Sequence, residues 1–175
     1  RALAAQGLGD ADDELRARLR RWFDVDTLAA PLAHGVVYPG ILDLVSGLHR
    51  VMPMVVVTNK PTPLARAVLD AAGVLPFVDA VFGADTAALR KPAPGMLLAA
   101  AQQLAIAPEQ LLMVGDSAPD MQSAHAAGCR AVLVPWGYCH HTLPNWLDPL
   151  RVSGPDELLQ VLLATRGAAE PLFNS

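Results

Sequence analysis

Several common features are missing from this sequence of 175 residues, and each absence excludes a class of protein. The two cysteines, Cys129 and Cys139, fit neither a disulfide framework nor a metal-binding knuckle. No apolar run approaches the roughly 18 residues that a membrane span needs, and no basic-then-apolar signal peptide is found. The net charge of −4 lacks the basic excess of a nucleic-acid-binding surface. We therefore expect a cytoplasmic protein without a membrane or nucleic-acid partner.

Apolar residues, by contrast, are abundant. Hydrophobic residues make up 53% of the chain and charged residues 17%, so the chain can bury a sizeable core. From residue 36 onward, short apolar runs such as the β-branched Met54–Val57 and Ala131–Val134 alternate with segments of helical pattern. Nearly unbroken apolar strands separated by helices are typical of a parallel sheet that helices cover on both faces. The predicted fold class is therefore α/β.

The first 34 residues differ from the rest of the chain. Acidic residues are concentrated at positions 10–14, and Leu15, Leu19 and Trp22 then recur at helical spacing. Residues 27–33 favour a second short helical piece, and no strand pattern is present in the first 34 residues. We therefore divide the chain into a helical part over residues 1–34, an α/β domain over 35–167 and a tail over 168–175.

The stretch from Gly115 to Asp120 indicates a ligand site. A short apolar run ends at Gly115, which places Asp116 at the carboxyl end of a buried strand, where open α/β sheets bind their ligands. Asp120 would face the same crevice from the first turn of a helix. Two carboxylates suit Mg²⁺, which takes oxygen ligands and shares them with a phosphate. In the alternative interpretation, Ser117 and Asp120 form a capping box and Asp116 is an ordinary turn residue.

Two further groups are predicted to reach the same edge of the sheet. Thr58 and Asn59 follow a run of valines, and their hydroxyl, amide and backbone N–H groups can hold phosphoryl oxygens. Lys91, before Pro92, adds a positive charge on a loop. Each signal alone is weak, because Thr-Asn also forms ordinary turns and most surface lysines are solvated. Together, and in this order, they indicate a crevice for a phosphate.

In this combination, residues 36–165 resemble the haloacid dehalogenase superfamily of phosphohydrolases. Three segments are similar to the second, third and fourth motifs of that family: Val55 to Asn59, Lys91-Pro92, and Gly115-Asp116 through Asp120. Finer features are similar to its phosphoglycolate phosphatase branch: Tyr38-Pro39-Gly40, Thr58-Asn59-Lys60, Arg90-Lys91-Pro92-Ala93-Pro94 and Trp136-Gly137-Tyr138. The resemblance implies a Rossmann-like fold with a three-layer parallel sheet, in which residues 1–34 form the end of a helical cap.

The resemblance also implies a magnesium-dependent phosphomonoesterase. Such an enzyme works through an aspartyl-phosphate intermediate on a small phosphorylated substrate, here as a monomer or homodimer. Thr58 would bind the phosphoryl oxygens with support from Asn59, and Lys91 would stabilise charge on the nucleophile and the phosphoryl group. Asp116 would hold Mg²⁺, and Asp120 would position Lys91 or a metal-bound water. Phosphoryl transfer depends mainly on such positioning and charge stabilisation.

One family motif is not found: the Asp-x-Asp-x-Thr at the end of the first strand, which supplies the nucleophile and the general acid/base. Asp24-Val25-Asp26-Thr27 lacks one residue of this motif and follows an amphipathic helix instead of a buried strand. In the family, the first strand lies between the strands that here end at Thr58 and Asp116. We therefore expect an upstream segment that carries it, and a chain beginning at Arg1 would be poorly folded and inactive.

Two alternatives stay open at this point. One is another phosphatase or a phosphomutase of the same family, acting on a sugar phosphate, a nucleotide or a pyrophosphate. The other is a non-catalytic remnant that keeps the fold, has lost the nucleophile, and binds a phosphate or a partner. An intact Asp-x-Asp-x-Thr in the upstream sequence would favour the enzyme.

Overall fold

The computed structural model of the chain describes residues 9–33, 35–137 and 143–167. No helix in these ranges is both long enough and apolar enough to cross a membrane. Helices and strands alternate along the chain in the order α1 (Gly9–Ala29), α2 (Ile41–Leu48), β1 (Val55–Thr58), α3 (Thr62–Ala71), β2 (Ala80–Gly83), α4 (Gly95–Gln103), β3 (Leu112–Gly115), α5 (Ala118–Ala127), β4 (Arg130–Leu133), β5 (Leu150–Arg151) and α6 (Pro155–Gly167).

The strands are all parallel and form two sheets, which confirms the predicted α/β class. β1 pairs with β2, with Thr58 opposite Gly83 at the carboxyl end. β4 lies between β3 and β5, and Gly115 is opposite Leu133. Within the described ranges, β1 pairs only with β2 and β3 only with β4, so each has one edge without a strand partner. The strands that end at Thr58 and Gly115 are therefore not neighbours in one ladder.

The β3–β4–β5 sheet is the middle layer of three. Along β3 and β4 successive side chains point to opposite faces, as the strand period of two requires. Met113 and Leu133 pack with α4 and α5 on one face, while Val114 and Val132 pack with α2 and α6 on the other. This arrangement is the three-layer fold that the sequence predicted.

Helix α4 connects the two sheets. It lies against β1 and β2 and also packs on α5, which covers β3 and β4. Its buried residues include Met96 and Leu97, and Val57 of β1 packs against the cluster that contains Leu97. The two sheets therefore share one layer of helices, and their carboxyl ends are held close together.

One prediction for the helical part is wrong. Helix α1 continues without a break to Ala29, so residues 27–33 do not form a separate helical piece. No glycine or proline occurs between Asp10 and Ala30 to interrupt the helix, and it ends just before Pro31, whose ring restricts the preceding residue. Residues 24–27, the incomplete match to the missing motif, lie inside α1 and not at the end of a strand. The predicted tail over 168–175 lies outside the described residues.

Asp85 holds the start of α3 against the end of β2. Its carboxylate accepts hydrogen bonds from the backbone N–H (2.7 Å) and the hydroxyl (2.8 Å) of Thr62, whose N–H has no partner within the helix. These bonds, the backbone one first, lower the pKa of Asp85. The stabilisation is therefore complete above the ordinary aspartate pKa and is lost as the pH falls through the lowered value.

We expect Asp85→Asn to lower the melting temperature of the protein at neutral pH. The difference from the wild type should narrow as the pH falls below about 4, because the wild-type carboxylate takes up a proton first in the unfolded state and then, below its lowered pKa, in the folded state. Thermal unfolding from pH 7 to pH 2 measures this, with Asp70→Asn on the exposed side of α3 as the matched control. A difference in melting temperature between Asp85→Asn and wild type that stays constant from pH 7 to pH 2 would contradict this role of the Asp85 carboxylate.

Candidate active site

Lys91 connects the two halves of the α/β domain. Its ammonium group lies 2.6 Å from Oδ1 of Asp120, and the side chains of this ion pair are only 9% and 7% exposed. The same ammonium donates a hydrogen bond to the backbone carbonyl of Val57 in β1 (2.8 Å). One cation from the loop before α4 is thus held between the end of β1 and the first turn of α5.

Asn59 fixes the backbone of Lys91. The Asn59 side-chain oxygen accepts from the Lys91 N–H (2.6 Å), and its amide nitrogen donates to the Lys91 carbonyl (3.0 Å). Both polar ends of the Asn59 amide are therefore engaged by a single residue. The peptide bond from Lys91 to Pro92 is cis. The geometry gives Asn59 a means of supporting a phosphate site indirectly, through the placement of Lys91.

Thr58 ends β1 directly beside this pair. Its hydroxyl oxygen accepts a hydrogen bond from the backbone N–H of Lys60 (3.2 Å). A hydroxyl carries one proton besides its acceptor lone pairs, so this bond leaves the O–H available as a donor. A donor at the carboxyl end of a parallel strand is placed where α/β proteins bind ligands. The predicted role of Thr58 in binding phosphoryl oxygens is compatible with this geometry.

Asp120 both caps the start of α5 and forms the ion pair with Lys91. Its second oxygen, Oδ2, accepts from the Ser117 hydroxyl (2.6 Å), the Ser117 N–H (3.1 Å) and the Asp116 N–H (3.2 Å). The bond from the Ser117 N–H is one of the two reciprocal bonds of a capping box, and the other joins the Ser117 side chain to the Asp120 backbone N–H. The two interpretations of this stretch therefore do not exclude each other. The capping bonds fix the carboxylate so that Oδ1 faces Lys91.

Two glycines allow this close packing. A Cβ on Gly115 would lie 2.5 Å from Cβ and 2.7 Å from Cγ of Asp120, so any side chain there would displace the carboxylate. A Cβ on Gly137 would overlap the carboxylate of Asp116, so the loop after β4 lies directly against that side chain. Both glycines stand in segments that the sequence analysis singled out, but their packing role was not predicted.

A cavity of about 420 Å³ opens beside Thr58 and Asn59. The residues after β1 form one side of it, and α1 forms another, because α1 packs on α3. The ammonium of Lys60 lies 5.4 Å from the centre of the Phe23 ring across this cavity. The full lining is Arg20, Phe23, Asp24, Thr58, Asn59, Lys60, Pro61, Leu64 and Arg90. The contribution of α1 to the site was not predicted from the sequence.

Of the other predicted features, Asp116 adjoins this cluster and Trp136 lies apart from it. The backbone N–H of Asp116 donates a hydrogen bond to Asp120, while the carboxylate of Asp116 faces Gly137. Trp136 packs against the apolar core around Leu44 and Val132. Tyr138 lies outside the residues that the structure describes. Within the described ranges, no three or more His, Cys, Asp or Glu side chains converge as metal ligands would.

The fold and this cluster define a class of protein: a Rossmann-like α/β domain with a buried lysine–aspartate pair at the carboxyl ends of its strands. The family model of haloacid dehalogenase-like hydrolases matches residues 2–128. The chain therefore belongs to the haloacid dehalogenase-like hydrolases.

Two similar proteins are curated as phosphoglycolate phosphatases. That of Rhodospirillum rubrum is 44% identical over 143 residues, which cover 79% of this chain and 59% of the relative. That of Escherichia coli is 34% identical over 151 residues, which cover 86% and 57%. The chain thus spans a little under 60% of the length of these relatives.

Solved structures agree with this family. The crystal structure of CbbY from Rhodobacter sphaeroides in complex with xylulose-(1,5)-bisphosphate superposes with a TM-score of 0.69 at 26% identity. The superposition covers 81% of this chain and 65% of that protein. A predicted phosphoglycolate phosphatase from Haemophilus somnus gives a TM-score of 0.62 at 28% identity, over 73% and 56% of the two chains.

The Lys91–Asp120 pair gives a prediction about stability that does not depend on catalysis. Asp120→Asn leaves the buried ammonium without its counter-charge, so we expect a loss of about 3–5 kcal/mol in the free energy of unfolding. The double variant Lys91→Met/Asp120→Asn removes both charges and should recover part of that loss.

Denaturant unfolding of the full-length protein measures both values. The exposed Asp70→Asn is the control and should stay within about 0.5 kcal/mol of wild type. The single variant Lys91→Met, measured in the same way, completes the cycle. A double variant that loses the full sum of the Lys91→Met and Asp120→Asn losses would show that the two side chains do not interact.

Proposed function

We propose that the full-length protein hydrolyses a small phosphomonoester through an aspartyl-phosphate intermediate, as a phosphatase of the phosphoglycolate type. The observation that carries the proposal is the ammonium of Lys91, buried between Val57 and Asp120 at the strand ends. A fixed cation in a site shielded from water stabilises developing negative charge better than one in bulk solvent. Similarity to two curated phosphoglycolate phosphatases supports the substrate class.

Each residue of the cluster has one role in this mechanism. Thr58 donates its hydroxyl proton to a phosphoryl oxygen, and Lys91 stabilises charge on the nucleophile and on the transferring group. Asn59 and Asp120 position Lys91 through its backbone and its ammonium. Phosphoryl transfer requires little covalent chemistry from these groups, because its barrier falls mainly through positioning and electrostatics.

The nucleophile comes from outside the described residues in this proposal. We place it on a strand that lies between β1 and β3, where each has an edge without a partner within the described ranges. A segment upstream of Arg1 would supply this strand. The carboxylate of an aspartate on this strand attacks phosphorus, and the alcohol leaves and takes up a proton. Water then cleaves the aspartyl phosphate, which releases inorganic phosphate and restores the carboxylate.

Asp116 is the described residue that fits a magnesium ion. Its carboxylate lies at the end of β3 in a space that any side chain at position 137 would fill. Mg²⁺ is commonly held by one or two protein carboxylates, with water and substrate phosphate as the other ligands. One described carboxylate is therefore sufficient on this side of the site. When bound, Mg²⁺ would neutralise charge on the phosphate.

A second candidate is a phosphatase for a sugar bisphosphate. It is favoured by the superposition on CbbY, whose structure was solved in complex with xylulose-(1,5)-bisphosphate. The residues that handle the phosphoryl group are the same in both proposals. Comparing phosphoglycolate with a pentulose 1,5-bisphosphate as substrates of the full-length protein separates the two.

We expect Asp116→Asn and Thr58→Val each to reduce magnesium-dependent phosphate release from phosphoglycolate by about 10²–10³-fold, the range for loss of one preorganised electrostatic contact. Asp116→Asn should also raise the magnesium concentration needed for half-maximal activity. Asp43→Asn, on the exposed side of α2, is the matched control and should keep the wild-type rate.

Steady-state phosphate release, with melting temperatures to confirm folding, checks these values. Wild-type rates in both variants would refute the assigned roles. A folded full-length wild type that hydrolyses none of the phosphomonoesters would refute the enzyme and leave the non-catalytic interpretation.

A further inference from the structure

Two arginines from separate parts of the chain line the cavity beside Thr58. Arg20 belongs to α1, and Arg90 directly precedes Lys91 in the loop. Both side chains are exposed. Within the described ranges, neither guanidinium takes part in an ion pair or a side-chain hydrogen bond. The phosphoryl chemistry proposed above uses neither of them.

The charge of the cavity favours an anion. Its lining includes three cations, Arg20, Lys60 and Arg90, against one carboxylate, Asp24, which leaves a net charge of about +2. Lys60 is directed towards the Phe23 ring at 5.4 Å, a distance suited to a cation–π contact. The two arginines are therefore the cations of this cavity that have no partner of their own in the described structure.

We propose that Arg20 and Arg90 bind a second anionic group of the substrate, at the end remote from the phosphoryl group. The inference rests on the proposed function, because Thr58 and Lys91 define where the phosphoryl group lies. A guanidinium offers paired N–H donors in a planar fork that matches the two oxygens of a carboxylate or a phosphate. The substrate class is then a small phosphomonoester that carries a further carboxylate or phosphate.

Because Arg20 belongs to α1, this helix contributes to substrate specificity. Arg20 reaches the cavity because α1 packs on α3, next to the end of β1. Arg90 reaches it because its neighbour Lys91 is fixed by Asn59. A substrate with a neutral group at its remote end would leave both guanidinium groups unpaired. The cavity therefore selects by charge at a distance from the reacting phosphorus.

The test compares two substrates that differ only at the remote end: phosphoglycolate, and 2-hydroxyethyl phosphate, in which a CH₂OH replaces the carboxylate. In the full-length protein, we expect Arg20→Gln and Arg90→Gln each to lower kcat/KM for phosphoglycolate by about 10- to 100-fold, as for loss of a hydrogen bond to a charged group. Hydrolysis of 2-hydroxyethyl phosphate should change little. Arg18→Gln, on α1 but outside the cavity lining, should change neither substrate.

A third substrate, a pentulose 1,5-bisphosphate, identifies the second anion. A selective loss on phosphoglycolate assigns a carboxylate, and a selective loss on the bisphosphate assigns a second phosphate. The proposal would be overturned if kcat/KM fell equally on the anionic and the neutral substrates. It would also be overturned if neither variant lowered kcat/KM on either anionic substrate.

Binding separates this inference from the proposed function. If the folded wild type hydrolyses none of these substrates, the proposed function fails, and calorimetric titration with phosphoglycolate and 2-hydroxyethyl phosphate tests the arginines directly. Tighter binding of phosphoglycolate that is lost in Arg20→Gln and Arg90→Gln would still support the anion site. Equal binding of the two ligands by the wild type would refute it.

Discussion

The arrangement of this domain depends on one buried cation. The ammonium of Lys91 lies between a backbone carbonyl of β1 and the carboxylate of Asp120, and water reaches little of either side chain. A buried charge is tolerated only with a counter-charge and hydrogen bonds, so the surrounding residues must be placed to supply them. Asn59 fixes the lysine backbone, and Ser117 fixes the carboxylate. The glycine at position 115 leaves the space in which that carboxylate lies.

This local requirement has a consequence for the whole fold. Parallel strands divide into two sheets, and α4 packs against both of them while Lys91 links their carboxyl ends. The polar groups of the site are thus supported by rigid elements, and the cavity beside Thr58 is closed from one side by α1. Residues that never contact a substrate, such as Gly115 and Ser117, are as necessary for the geometry as those that would.

Much of this architecture was predictable from the sequence because the signals are local. A run of β-branched residues marks β1 and a short apolar run marks β4, and glycine marks the end of α5 at position 128, where φ is +74°. The order of Thr58, Lys91 and Asp116 predicted a shared edge. The two hydrogen bonds between Asn59 and Lys91 were not predictable, since they join residues 32 positions apart through an irregular loop. The place of Arg20 in the cavity likewise depends on how α1 packs, which no local pattern encodes.

We propose that Thr58, Lys91 and Asp116 form one side of a phosphoryl-transfer site whose nucleophile lies on a strand between β1 and β3. A crystal structure of the full-length protein with Mg²⁺ and beryllium trifluoride, which mimics an acyl phosphate, tests it most directly. We expect beryllium to be bonded to an aspartate on that strand, with Mg²⁺ at Asp116. The fluorines should lie within hydrogen-bond distance of the Thr58 hydroxyl and the Lys91 ammonium. Beryllium trifluoride bound elsewhere, or no strand between β1 and β3, would contradict it.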